Sequence, residues 1–256
     1  MAHFTFVSLI SLSLLVGQAI AQQDAVANPK AEKLDCLEMM NALRTAAGLD
    51  KFKDASKVTQ VLPAYGNAAQ RDVEVAAETL WKNEICPKVT GAGSSTTGEA
   101  AKLTGTYAYY PVADDKKDCN AAVEYWKGGF SLFNNEIPPT YESANNPSVY
   151  SDRAVSFVAL YNPQPEPVVS CVFLQCPPPS DTTPGDGRRL SSASTTVDAI
   201  ICLTNPAALN ASAAPFKEDE WNKIVQAISG NSGGASSVGP SVALVSAVAI
   251  SAFALF

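Results

Sequence analysis

Six cysteines constrain this chain more than any other feature: Cys36, Cys86, Cys119, Cys171, Cys176 and Cys202. Their number is even, and the residues ahead of them read as an export signal. Apolar side chains dominate positions 4–16, and the run closes on Ala19-Ile20-Ala21 before Gln22-Gln23. Small residues three and one positions before a cut, behind an apolar core, are what a signal peptidase reads, so residues 1–21 are expected to be removed. The n-region departs from the usual pattern in having no Lys or Arg. The secretory route is oxidising, so the six cysteines are expected to form three disulfides. Six cysteines allow fifteen pairings, and sequence alone does not choose among them. Zinc is the competing use of cysteine, but no C-x-x-C spacing occurs and the single histidine is His3, inside the signal. Cys171 and Cys176 lie five apart, and in one strand an odd spacing turns them to opposite faces. They are therefore expected to tie a sheet to two different layers, as in a sheet sandwiched between helices.

The C-terminal region carries a second signal. Residues 242–256 are apolar or small and uncharged, and Ser229 to Ser237 upstream is a run of small residues. Small residues at an attachment site, a polar spacer and a hydrophobic tail together form a GPI signal. A bilayer-spanning helix needs about 20 apolar residues, more than this tail supplies. No Lys or Arg follows it to hold a cytoplasmic flank. The expected organisation is a signal peptide at 1–21, one domain at 22–228, a Gly/Ser linker at 229–241 and a removed hydrophobic signal at 242–256. Gly230, Asn231, Ser232 and Gly233 are the attachment candidates. The expected location is the outer leaflet of the plasma membrane, reached through the endoplasmic reticulum. The mature chain would hold about 210 residues, long enough to bury a core. Neither removed segment is charged, so the net charge of −7 falls on the domain. An acidic domain does not suit nucleic acid or anionic lipid.

Within the domain, periodicity predicts a helix over 32–47, with Leu34, Leu37, Met40, Leu43 and Ala47 on one side and Gly48 as a stop. A second is predicted over 67–85, with Val73, Ala76, Ala77, Leu80 and Trp81 as its stripe and Pro87 past its end. Residues 90–98 read as a loop, 104–110 as a strand, and 119–133 as a helix interrupted by Gly128-Gly129. After a Pro- and Asn-rich loop at 137–151 come three runs rich in Val, Ile, Phe and Cys: 154–161, 168–175 and 197–203. They read as strands, the first two joined as a hairpin through 162–167. Residues 177–195 read as a long polar loop, and 216–228 as a closing amphipathic helix. This order suggests an α+β domain of stacked layers.

Most catalytic constellations are ruled out. With His3 in the signal, the mature domain has no histidine, which excludes Ser-His-Asp and Cys-His nucleophiles and His general bases. No P-loop or GxGxxG occurs, and cysteines in disulfides provide no thiolate. Glu74 and Glu78 share a helix face, but paired carboxylates need a cleft to act on a substrate. No enzyme, cofactor or metal is expected. Asn210-Ala211-Ser212 is an N-glycosylation sequon. Arg188-Arg189 is a dibasic step in a Pro- and Gly-rich stretch, the kind of place where chains are nicked. A disulfide from Cys202 to any earlier cysteine would hold the two pieces together.

Several segments in this order resemble a known family. Cys36-Leu37-Glu38-Met39-Met40-Asn41-Ala42-Leu43-Arg44, Ala47-Gly48-Leu49 with Phe52, Leu80-Trp81 near Cys86-Pro87, and Cys202-Leu203-Thr204-Asn205-Pro206-Ala207-Ala208-Leu209 are similar to the surface antigens (SAG type) of Eimeria and related coccidian parasites. That family is similar in turn to the CAP superfamily, which implies an α-β-α sandwich with an antiparallel sheet between helices. Asn41-Ala42-Leu43-Arg44 resembles the CAP His-Asn-x-x-Arg, Gly98-Glu99-Ala100 the Gly-Glu-Asn, and Val169-Ser170-Cys171 with Pro177-Pro178-Pro179 the Val-Cys-x-Tyr-x-Pro-x-Gly strand. The CAP cavity histidines are absent, so its metal site does not carry over, and Glu99 stands without partners. The resemblance implies a non-enzymatic GPI-anchored antigen that meets the host cell surface or a host protein and is exposed to immunity. Two other readings stay open: a sterol or lipid binder, with a groove sought at 137–150 near Tyr141 and Tyr150, and a passive coat protein.

Overall fold

The structure, a computed structural model, describes residues 28–66, 71–93, 98–143, 146–178 and 196–231. Its centre is the pair β4 (Val168–Cys176) and β5 (Val197–Asn205), antiparallel with Cys171 opposite Cys202. β3 (Thr106–Val112) adds antiparallel to β5, and β1 (Lys30–Leu34) to β4. The two-residue β2 (Lys53–Asp54) runs parallel to β4 at Val168 and Val169, giving a five-stranded sheet of order β1-β4-β5-β3 with β2 beside β4.

Alternation along β4 and β5 divides the core in two. Val169, Cys171, Phe173, Ile200 and Cys202 join one apolar cluster, and Val172, Leu174, Cys176, Ala199, Ile201 and Leu203 join the other. The first face is covered by α1 (Leu37–Ala46), α4 (Cys119–Lys127), the 3-10 turns Gly128–Phe133, α5 (Asp152–Leu160) and α6 (Glu218–Asn231). The second is covered by α2 (Arg71–Glu78), a π-helical stretch Thr79–Ile85 and α3 (Cys86–Val89). The expected α-β-α sandwich stapled by three disulfides is what the chain forms.

Four expectations are corrected. Residues 32–34 belong to β1, not to the first helix; Leu34 sits three positions before Leu37 and so extends a helical spacing by coincidence. The chain turns at Asp35, whose Oδ1 accepts the Leu37 N–H at 3.0 Å and starts α1 there. The second helix runs past Pro87, because the π stretch shifts the register and Pro87 falls in the first turn of α3, where no N–H is needed. Residues 154–161 form α5 and its cap rather than a strand, and the hairpin at 162–167 is instead the link from α5 to β4. From Ser156 to Leu160 every side chain of α5 is buried, so its apolar run lacks the periodicity that separates a helix from a strand. The third strand begins at Thr106 rather than 104.

The disulfides are Cys36–Cys119, Cys86–Cys176 and Cys171–Cys202, with Cα separations of 5.3, 5.4 and 4.1 Å. Cys171 and Cys176 do face opposite clusters. Only Cys176 reaches another layer, however, through Cys86 at the start of α3. Cys171 bonds across to the neighbouring strand, corrected from the expectation of two layer ties. Directly opposite antiparallel residues are close enough for this without moving the backbone.

α5 is the hub of the first layer. Phe157 lies 5.0–6.2 Å, centroid to centroid, from Tyr161, Phe133, Phe130, Trp221 and Phe216. Gly128-Gly129 lets the turn after α4 approach α5. A Cβ on Gly129 would sit 2.5 Å from the Arg153 carbonyl oxygen and 2.8 Å from Phe157 Cβ. Gly230, in α6, has nothing within 4 Å of that position. Gly129→Ala is expected to destabilise the fold by about 1–3 kcal/mol through overpacking. Gly230→Ala should be neutral or stabilising by up to about 1 kcal/mol. Urea unfolding of both variants with disulfides intact would check the contrast.

Candidate functional site

β3 is the edge of the sheet, and its outer side is only partly covered. Ser156 Oγ accepts the Tyr109 N–H at 2.9 Å and donates to the Asp152 carbonyl at 2.7 Å. Trp126 Nε1 donates to the Tyr109 carbonyl at 2.8 Å. These bonds hold α4 and α5 against the middle of the strand. Toward its start, a groove of about 650 Å³ opens between the two helical layers. Its wall from the second face carries Glu84, Ile85, Lys88 and Ala100; its wall from the first carries Asp152, Val155 and Ser156. Tyr107 and Tyr109 form the floor, with Tyr141, Tyr150 and Leu209 at the far side.

Each wall is built by specific bonds. Glu84 is buried, and its two carboxylate oxygens accept the N–H groups of Glu99 and Ala100, both at 2.7 Å. This fixes the 3-10 turn Ala100–Lys102. A Cβ on Gly98 would run into Glu84 Oε1, so a larger residue there would displace the carboxylate from this position. Tyr141 is held by an isolated bridge to Ala213, donating its N–H to the Ala213 carbonyl at 2.9 Å. Tyr150 donates to the Pro139 carbonyl and meets Tyr141 edge to face at 5.1 Å. Thr106 Oγ1 accepts the N–H of Ala208 at 2.8 Å, which sets Leu209 at the rim. The Tyr107 hydroxyl is buried and makes no hydrogen bond among the described residues. Burial, and then the charge of Glu84, push Tyr107 up to about 12; burial does the same to Tyr150, with Tyr141 adding to it.

The groove therefore includes Tyr141 and Tyr150, where the sequence placed it, but its buried acid is Glu84 rather than Glu99. The Glu99 side chain pairs with Lys102 at 2.7 Å, and only its N–H serves the site. Glu78 pairs with Lys82 at 3.4 Å, and the Glu74 side chain lies outside the described residues. Asn41 and Arg44 do structural work. Asn41 exchanges two hydrogen bonds with the backbone of Phe52. Arg44 is fully buried, donates to the Asp50 and Leu160 carbonyls, and stacks on Phe52 at 3.9 Å. Its desolvation lowers its pKa to about 10. The Sγ atoms of Cys36, Cys171 and Cys202 lie within 4.8 Å of one another, but all belong to disulfides and offer no thiolate to a metal. Asn210 is exposed in the turn beside Leu209. Gly230 and Asn231 end α6, while Ser232, Gly233, Arg188 and Arg189 lie outside the described residues. Among the described residues no helix is long and apolar enough to cross a membrane.

Glu84, Tyr107, Tyr109 and Asp152 were not singled out from sequence. A lone acid among Leu80, Trp81, Ile85 and Cys86 is a signal for the first of them. The π-helical register hid which face it takes.

Residues 32–246 match the sporozoite surface antigen (SAG) protein domain. The chain belongs to that family. It is 59% identical over 263 residues, the whole of both chains, to the sporulated oocyst TA4 antigen of Eimeria tenella. It also matches the crystal structure of the Eimeria tenella surface antigen protein SAG19, with 18% identity and a TM-score of 0.45 over 78% of this chain and 98% of that one. Membership in a surface-antigen family implies a cell-surface location.

The shifted tyrosines set the alkaline behaviour of the domain. An acid whose folded pKa is raised is protonated in the fold after the unfolded chain has lost its proton. Its stabilising effect is present below pH 10 and falls as pH rises toward the folded value near 12. Unfolding midpoints in urea should therefore drop from pH 10 upward. Tyr107→Phe should flatten that drop and leave stability at pH 7 within about 1 kcal/mol, since a buried hydroxyl without a partner contributes little.

Proposed function

We propose that this surface antigen is held on the outer leaflet by a GPI lipid and presents its disulfide-stapled domain to the host cell surface or a host protein. Full-length similarity to a coccidian surface antigen carries this reading. Three observations support it. The cysteines pair completely, as suits an oxidising route. α6 runs to Asn231, so the last described helix leads directly into the small-residue attachment stretch. The mature sequence contains no histidine and no standard catalytic motif, which favours display and binding over catalysis. Attachment to host cells is the expected activity of the recombinant domain. Saturable binding to host epithelial cells would support it, and binding no greater than that of an unrelated acidic domain would sink it.

The anchor has a direct test. Phosphatidylinositol-specific phospholipase C applied to intact cells is expected to release the protein into the supernatant, with a known GPI protein as positive control. Retention of this protein alone would refute the lipid anchor.

The dibasic step has another. Cys171–Cys202 spans it, and Cys202 is the only cysteine that follows it. Cleavage after Arg189 is expected to leave one species on a non-reducing gel and two fragments after reduction. Separation without reductant would contradict the pairing.

A second reading has its own observation. The 650 Å³ groove is within the range of small-molecule sites and includes the two tyrosines expected to mark one. A small-molecule binder is thus the alternative function, compatible with surface display.

A further inference from the structure

We infer that the groove beside β3 takes an organic cation: an ammonium group held by Glu84 and Asp152, with an apolar body lying against the tyrosines. This rests on the small-molecule reading above and names its ligand class.

The charge of Glu84 carries the inference. The side chain is buried, at 4% exposure, in the wall of the groove. Its oxygens accept two backbone N–H groups, and among the described residues no cation pairs with it. Neutral donors orient a carboxylate without cancelling its charge, and buried charges are ordinarily paired. The capping of the turn at Ala100–Lys102 needs an acceptor there; it does not need a formal charge. A ligand cation would supply the missing opposite charge.

The neighbours point the same way. The Tyr107 hydroxyl, buried and without a partner, lies close enough to Glu84 for that charge to raise its pKa. It stays neutral at physiological pH and presents an oxygen lone pair to an ammonium N–H. Asp152 brings a second carboxylate from the opposite helical layer, and its charge acts on Tyr109. Tyr107, Tyr109, Tyr141 and Tyr150 all line the groove, and aromatic faces attract cations, more strongly where water is displaced. Lys88 is the cation among the lining residues; it is exposed and leaves the lining net acidic.

Other ligand classes fit less well. An anion, or a wholly apolar molecule, would be pressed against an unpaired carboxylate. A bare metal ion needs several converging ligands, and among the described residues no cluster of three carboxylates forms at the groove.

The test uses dansylcadaverine, an alkylammonium with an aromatic body, titrated into the secreted, disulfide-bonded protein and followed by fluorescence. Its N-acetyl derivative has the same body and no charge. The amine is expected to bind saturably, and the acetylated form roughly tenfold more weakly or worse. Asp152→Asn and Glu84→Gln should each narrow that gap, and Tyr141→Ala should weaken both probes. Thermal melts establish whether Glu84→Gln folds; if it does not, Asp152→Asn, on the exposed first turn of α5, decides alone. Equal affinity for the two probes, or a gap untouched by the carboxylate changes, would overturn the cation assignment and leave a groove for neutral molecules. Saturable binding of neither probe would overturn the cation assignment and the small-molecule reading together.

Discussion

Strands β4 and β5 are buried on both faces along almost their whole length, and the position of every other element follows from that. Such a ladder must be covered twice, and the two faces of this one are covered differently. The first receives a continuous aromatic packing centred on Phe157, the second the side chains of one irregular helix and a short turn. The Cys171–Cys202 bridge fixes the register of the central pair at its middle, where slipping by one residue would exchange the two faces. The other two bridges hold the layers: Cys36–Cys119 joins the starts of α1 and α4, and Cys86–Cys176 joins α3 to the end of β4.

The interior also contains polar groups, and most of them bind backbone. Arg44 reaches the Asp50 and Leu160 carbonyls, Ser156 bonds the backbone of β3, and the Asn162 side chain donates to the Pro206 carbonyl at 2.6 Å. Each secures a loop or edge that has no ladder partner, which is why a core otherwise so apolar retains them. Glu84 belongs to this group by its hydrogen bonds and stands apart from it by its charge.

The layered architecture, the central strands and the closing helix were legible because each has a strong local signature. Val168–Cys176 and Val197–Asn205 are dense in β-branched residues, and the α6 stripe of Trp221, Ile224 and Val225 has helical spacing. α5 was not legible, since continuous burial from Ser156 to Leu160 erases periodicity and its Val-Ser-Phe-Val composition favours a strand. The end of β1 was masked by spacing that continues into α1. At the groove, Tyr141 and Tyr150 could be named from an unusual loop, whereas Tyr107, Asp152 and Glu84 come together only through sheet order and the π-helical register. The pairing of the cysteines likewise depends on strand neighbours far apart in sequence.

The Cys171–Cys202 bridge has a consequence for how such a surface can change over generations. It locks the β4–β5 ladder at its middle, before the long connection between the two strands begins, so the domain does not depend on that connection for its register. The entropy of closing a flexible loop rises only slowly, by about 0.6 kcal/mol for each doubling of length. Insertions, deletions and substitutions between the two strands therefore cost the domain little. A surface antigen has there a segment whose sequence can drift while the scaffold that displays it stays the same.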